Sequence, residues 1–303
     1  MKLLGAMALL AAGLLLAGCS GHKTRPRHRD SHARVLSSSS STASTGDDRF
    51  NDDLNKPQSS RYRDGQDSVP PPLDVSKLVE PVPKVEPRSL YGNKSPYTVR
   101  GRTYRVLPSA RGYKQRGIAS FYGNKFHGYK TSSLETYDMY AFSAASTTLP
   151  LPSYARVTNL ETGKSVIVRV NDRGPFHDNR VIDLSYAAAV KIGVYPKGTG
   201  LVEVQGIDPG AAATELPPPP AVTGSHPGIF LQVGAFSDAN NADRLAQRLR
   251  EARLGAVQVS DALSNDRHVY RVRIGPLDSV DRADEISARI ERMGLPRPQV
   301  AVD

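Results

Sequence analysis

The chain has 303 residues, a formal net charge of +10 and a single cysteine. Its length suggests two domains with tails, and its charge fits polyanionic partners: nucleic acid, acidic lipid or a cell-wall polymer. A lone thiol excludes a disulfide framework and a thiolate metal site. With no P-loop, dinucleotide fingerprint, metal constellation or Ser-His-Asp order in the sequence, no cofactor and no metal are expected.

Residues 1–18, MKLLGAMALLAAGLLLAG, place one lysine before a short apolar run that ends in small residues. That is the pattern of a secretory signal rather than of a membrane span. An exported chain meets no nucleic acid, so that partner drops out. The run LAGC, ending at Cys19, resembles the bacterial lipobox. The resemblance implies cleavage before Cys19, acylation there and, with Ser20 following, sorting to the periplasmic face of the outer membrane. Each buried methylene of an acyl chain adds ~0.8 kcal/mol, so several chains hold almost permanently.

Residues 19–95 show no sustained periodicity and are rich in Ser, Pro and charge, which reads as a disordered tether. Such a coil spans on the order of 45 Å between its ends. The basic run Lys23–Arg34 is a solvated charge patch suited to lipid headgroups.

Residues 96–207 change character. Short β-rich pieces recur (YTVRGRTYRVL, GIASFYG, YARVTNL, SVIVRV, RVIDL, GLVEVQGI) around one helix, capped by Ser185 and stopped by Gly193. Many short strands with one helix predict a small closed barrel. Its centre is YARVTNLETGKSVIVRVNDRGP, two alternating runs joined by a polar loop ending in Gly163, the pattern of a β-hairpin. The second run stops at Asn171-Asp172-Arg173-Gly174-Pro175, so Asp172 is expected at a rigid strand end.

Residues 208–227 form a Pro-rich linker. Residues 228–303 contain an internal repeat: LQVGAFSDANNADRLAQRL aligns with RVRIGPLDSVDRADEISARI, Gly234 with Gly275 and Ala242 with Ala283. Each copy reads strand, glycine turn, then an amphipathic helix, which predicts a ferredoxin-like α+β sheet with two helices on one face. Alternation assigns Phe230, Gln232, Arg271 and Arg273 to the open face. That set suits sugar hydroxyls and acetamides, and on chemistry alone single-stranded RNA equally.

The last segment, through LQVGAFS and YRVRIGPL, resembles the SPOR domain, which implies binding to septal glycan strands stripped of stem peptides. Residues 117–207, with GIASFYGNKFHG, TLPLPSYARVTNLETGKSVIVRVNDRGPF and RVIDLSYAAAVKIG, resemble the barrel of the rare lipoprotein A family. The fold class implied is mainly β: a six-stranded double-psi β-barrel, a C-terminal SPOR domain and disordered linkers. The activity implied is that of an endolytic lytic transglycosylase cleaving between N-acetylmuramic acid and N-acetylglucosamine at the division septum, with divisome proteins as possible partners.

In such a reaction the muramyl 6-hydroxyl attacks its own anomeric carbon and leaves a 1,6-anhydro end. The tethered nucleophile replaces the second carboxylate of an ordinary glycosidase, so one carboxyl suffices for proton transfer. Asp172 is assigned that role. Glu135 and Asp138 match the family's acidic pair and are expected to raise a neighbour's pKa or hold the sugar. Tyr122, Phe126 and His127 match the groove entrance, and Arg173 adjoins Asp172. Where the family carries a histidine after Ala-Ala, this chain has Ser146, which can hydrogen-bond a sugar but does not titrate near neutrality, so the departure implies an acid–base system weakened or lost. The alternative is a catalytically silent lipoprotein tethering the outer membrane to septal wall.

Overall fold

The computed structural model describes residues 61–62, 67–68, 70–210, 228–264 and 267–302. Cys19, the signal segment and the Pro-rich linker lie outside the described residues.

A closed barrel of six strands is ordered β3-β7-β4-β6-β5-β8. Its members are β3 (Lys114–Tyr122), β4 (Ser143–Ala145), β5 (Ser153–Asn159), β6 (Ser165–Asp172), β7 (Arg180–Ser185) and β8 (Thr199–Ile207). The pairs β3–β7 and β4–β6 run parallel, and the remaining neighbours are antiparallel. Val166, Val168 and Val170 recur at period two and are fully buried with Ala155, Val157, Ile182, Leu184 and Val204. This is the interior that period-two patterning requires of a small barrel. The β5–β6 hairpin forms where the alternation placed it, and Gly163 takes the positive φ of its turn.

Helix α1 (Tyr186–Ile192) covers one end of the barrel. Ser185 caps it by accepting from Ala188 N, and Gly193 closes it in the left-handed region.

Two expectations are corrected. The piece YTVRGRTYRVL does not join the barrel; β1 (Tyr97–Val99) and β2 (Arg102–Tyr104) make a separate two-stranded sheet. The sixth barrel strand is instead β4, Ser-Ala-Ala, whose small side chains fit a crowded wall. The segment before residue 96 is also not free of the barrel throughout. Leu73, Val75 and Leu78 pack on the core, Pro71 O accepts from Tyr186 Oη at 2.8 Å, and Glu80 Oε2 accepts from Ile167 N at 2.9 Å. Glu86 takes both Nε and Nη2 of Arg169, at 3.0 and 2.9 Å. Residues 70–95 are therefore a strap, because their scattered apolar and acidic side chains find partners on β6 and α1.

Gly206 in β8 approaches Ala110 so closely that an added Cβ would lie 2.0 Å from its carbonyl oxygen. Gly206→Ala is expected to destabilise the barrel by about 1–3 kcal/mol through overpacking, read as a lowered Tm in thermal unfolding.

The C-terminal sheet is ordered β10-β11-β9-β12: β9 (Ile229–Phe236), β10 (Val257–Ser264), β11 (Arg267–Leu277) and β12 (Gln299–Val302). Helices α2 (Ala239–Glu251) and α3 (Val280–Arg292) are capped by Asp238 and Ser279. They bury Ala242, Ala246, Leu249, Ala283, Ile286 and Ile290 against Leu231, Val233, Val272 and Ile274. Two strand-helix copies thus become one ferredoxin-like sheet, as the repeat predicts.

Candidate active site

Alternation alone would send Asp172 inward behind Val166, Val168 and Val170. A bulge prevents this. Val170 pairs with Ala144 and Asp172 with Ala145, leaving Asn171 as the extra residue. Ala144 belongs to the barrel core, whereas Ala145 faces outward among Tyr122, Tyr137 and Tyr186. The bulge therefore re-aims Asp172 onto the outer wall.

There the strand register builds a row. Ser120 pairs with Asp183, Asp183 with Ala145, and Ala145 with Asp172. Neighbouring strands lie ~4.8 Å apart, so the Asp172 and Asp183 backbones stand roughly 10 Å apart with a single methyl group between them. Gly174, at φ +148°, turns the chain away from β6, and a Cβ there would sit 3.6 Å from Asp183 Oδ2. The result is a cleft of about 660 Å³ over this row, with Tyr122, Phe126 and His177 in its walls.

Asp172 Oδ1 accepts from Ser132 N (2.8 Å), Ser132 Oγ (2.6 Å) and Arg173 N (2.7 Å). Among the described residues nothing donates to Oδ2. One oxygen is thus fixed by three donors while the other is left for chemistry. Burial raises the Asp172 pKa, against the opposing pull of Ser132 and Arg173. Burial also raises Asp183, which accepts from Ser120 Oγ at 2.5 Å and feels the charge of Asp172. Two carboxyls with elevated proton affinity in one cleft are an acid–base arrangement.

Several sequence-assigned residues lie elsewhere. Glu135 and Asp138 line a separate depression of about 470 Å³ with Arg169 and Asn171. Burial would raise Glu135, but Arg169 Nη1 at 2.5 Å and Asn171 Nδ2 at 2.9 Å outweigh it and lower its pKa. Its carboxylate is held by these two partners. His127 Nδ1 accepts from Met139 N at 3.2 Å beside Asp138, and His127 is not among the residues lining the Asp172 cleft.

Ser146 is 1% exposed, and its Oγ caps the next turn by accepting from Thr148 N and Leu149 N at 3.2 and 3.1 Å. It is not among the residues that line the Asp172 cleft. Arg173 turns its guanidinium inward, to Gly92 O (2.6 Å), Ser146 O (2.8 Å), Leu149 O (2.6 Å) and Asn93 Oδ1 (3.2 Å). Burial lowers its pKa to about 10. These bonds brace the strand exit. Tyr122 and Phe126 do line the cleft, with rings 6.0 Å apart edge to face.

Sequence reasoning missed Asp183, Ser132 and His177. The available signal was the spacing in RVIDLS: Ile182 and Leu184 are core residues, so the intervening aspartate must point out.

The chain is similar to known proteins over both of its domains. A family model described as lytic transglycolase matches residues 114–205, and a SPOR domain model matches residues 225–300. The endolytic peptidoglycan transglycosylase RlpA of Pseudomonas aeruginosa (strain UCBPP-PA14) is 40% identical over 278 residues, covering 74% of this chain and 81% of that protein. The chain belongs to the RlpA family. The Vibrio cholerae RlpA is likewise 40% identical, across 77% of this chain and 86% of its own length. A crystal structure of the RlpA SPOR domain from Pseudomonas aeruginosa is 31% identical, with a TM-score of 0.24, over 24% of this chain and 97% of that one. In this family member the double-psi barrel carries the cleft, and the SPOR domain carries a second polar surface. Phe230, Gln232, Arg271 and Arg273 are partly exposed and alternate with the buried Leu231, Val233, Val272 and Ile274. Gln232 pairs with Arg273 on one side and Gln299 on the other.

Proposed function

We propose that this chain is an endolytic lytic transglycosylase of the cell envelope, cleaving glycan strands stripped of their stem peptides. The carrying observation is the Asp172 carboxyl: one oxygen tethered by three donors, the other open to a cleft, with its proton affinity raised by burial. Protonated Asp172 gives its proton to the leaving glycosidic oxygen as the bond to the muramyl anomeric carbon breaks. The resulting carboxylate takes the proton of the muramyl 6-hydroxyl as that oxygen closes onto the same carbon, and the acid is restored. Because the nucleophile belongs to the sugar itself, effective molarities of about 10⁵–10⁸ M replace a positioned water. Asp183, anchored by Ser120 and electrostatically coupled to Asp172, disfavours simultaneous ionisation of the pair. The family relationship supports the same reaction.

Binding by the open SPOR face and an acyl anchor at Cys19 would concentrate the barrel on septal wall from the outer membrane. Incubating the chain with sacculi pre-digested to peptide-free strands is expected to release fragments with 1,6-anhydro ends. Binding without release would instead support the silent tether.

A further inference from the structure

Two of the three donors to Asp172 Oδ1 are Ser132 N and Ser132 Oγ, from a turn 40 residues earlier in the chain. Thr131 N donates to Glu135 O at 2.8 Å across that turn, and Leu134 within it takes a φ of +65°. The end of the strap packs against it. Ser89 Oγ donates to Ser133 O at 3.3 Å, and Ser89 N donates to Leu151 O at 2.9 Å. Asn93 is gripped at both ends of its amide. Its Oδ1 accepts from Leu151 N (2.9 Å) and Arg173 Nη2 (3.2 Å), and its Nδ2 donates to Leu151 O (2.6 Å) and Ser89 O (2.9 Å). Gly92 closes the gap between strap and turn. Its φ is +76°, and an added Cβ would lie 2.8 Å from Ser132 O and 2.9 Å from Leu151 Cδ1. A side chain there would push the Ser132 turn away, so only glycine permits this approach. Gly92 O also accepts from Arg173 Nε at 2.6 Å, and Arg173 N is the third donor to Asp172.

With Asp172 as the proton donor of the glycan-cleaving reading above, on which this inference rests, we propose that Ser89, Gly92 and Asn93 are its positioning residues. They hold Ser132 and Arg173 where three donors meet Oδ1, and so fix how the other oxygen is presented to the cleft. All three lie upstream of residues 114–205, the stretch that the lytic transglycolase model matches. The strap is thus part of the machinery that aims the acid, and not only a brace for the barrel. Hydrogen bonds from Ser132 and Arg173 favour the ionised carboxylate and oppose the upward push of burial. A strap that lets Ser132 drift therefore spoils the aim of Asp172 and raises its proton affinity further. The other charged or titratable groups around the cleft, Tyr122, Lys125, His177 and Asp183 with Arg61, Arg100 and Lys130, are not among the strap's partners in this contact.

The test uses Gly92→Ala and Asn93→Ala in the full chain, each checked for folding by its Tm. Both are expected to lower kcat by up to about 10²-fold, as small misplacements of a reacting group do, with KM little changed. Both should also move the falling limb of the pH–activity profile to higher pH, and a carboxyl NMR titration of Asp172 should move the same way. Glu80→Ala is the control. It frees the same strap from Ile167 N on β6 and touches no donor to Asp172, so the titration is expected to stay where it is. A folded Gly92→Ala or Asn93→Ala chain in which neither the limb nor the titration moves would overturn the proposal, even with a reduced rate. An equal shift in Glu80→Ala would overturn it too, since loosening the strap anywhere would then suffice. The titration needs no substrate. A shift there, in a protein whose wild type releases no anhydro-ended fragments, would sink the enzymatic reading and keep this one.

Discussion

Asp172→Asn is expected to lower the release of anhydro-ended fragments by ~10²–10⁴-fold, the usual contribution of a positioned proton donor, while raising Tm at neutral pH. The asparagine carbonyl keeps the three donors that Asp172 Oδ1 now satisfies, from Ser132 N, Ser132 Oγ and Arg173 N. What it removes is a carboxyl whose native pKa is raised by burial. The native state therefore holds that proton more tightly than the unfolded chain. The stability this gives is fully present below the unfolded pKa and is lost as pH rises through the native one. At neutral pH the wild type carries the penalty of a buried charge and the asparagine variant does not. Thermal unfolding of both chains from pH 3 to pH 8 should show their Tm values converging in acid. In wild type, activity should fall as pH rises through the same elevated pKa, because the proton donor is lost. A variant that retains turnover removes Asp172 from the chemistry. One that unfolds at low temperature would mean the carboxylate was structural.

Arg173→Ala is expected to cost about 3–5 kcal/mol, as removal of a charged partner from a buried network does, and to lower Tm by roughly 10 °C. Its guanidinium makes four hydrogen bonds to Gly92, Asn93, Ser146 and Leu149. These join the strap, the β4 exit and the strand end that carries Asp172. Arg173→Lys should not rescue it, because an ammonium lacks the planar fork that reaches these acceptors together. A wild-type Tm in either variant would show that the loop holds without the clamp.

Periodicity revealed the hairpin, the α1 boundaries and the C-terminal repeat, because each depends on local chemistry: alternating valines, the Ser185 cap, Gly193, and the repeated strand-then-helix pattern, although Gly234 and Gly275 lie within β9 and β11 and do not end them. It placed Asp172 at a strand end for the same reason. The sixth strand was illegible, since Ser143-Ala144-Ala145 has neither β-branched residues nor length, and only its neighbours make it a strand. The strap of residues 70–95 was read as tether because Leu73, Glu80 and Glu86 acquire meaning only against β6 and α1.

The bulge at Asn171 is the subtler loss. A period-two reading of β6 points Asp172 into the core, and nothing in NDRGP announces the extra residue. Arg169, on the other face, then captures Glu135, a pairing between residues far apart in the chain. Asp183 lay within reach of the alternation in RVIDLS but was absorbed into a strand.

The direct measurement is a carboxyl NMR titration of the chain labelled at aspartate, followed in wild type and in Asp183→Asn. Asp172 is expected to titrate above the ordinary value of about 3.9, and to move down when its like-charged neighbour is neutralised. A titration at or below that value, indifferent to residue 183, would contradict the claim that this cleft keeps a proton ready for a departing sugar.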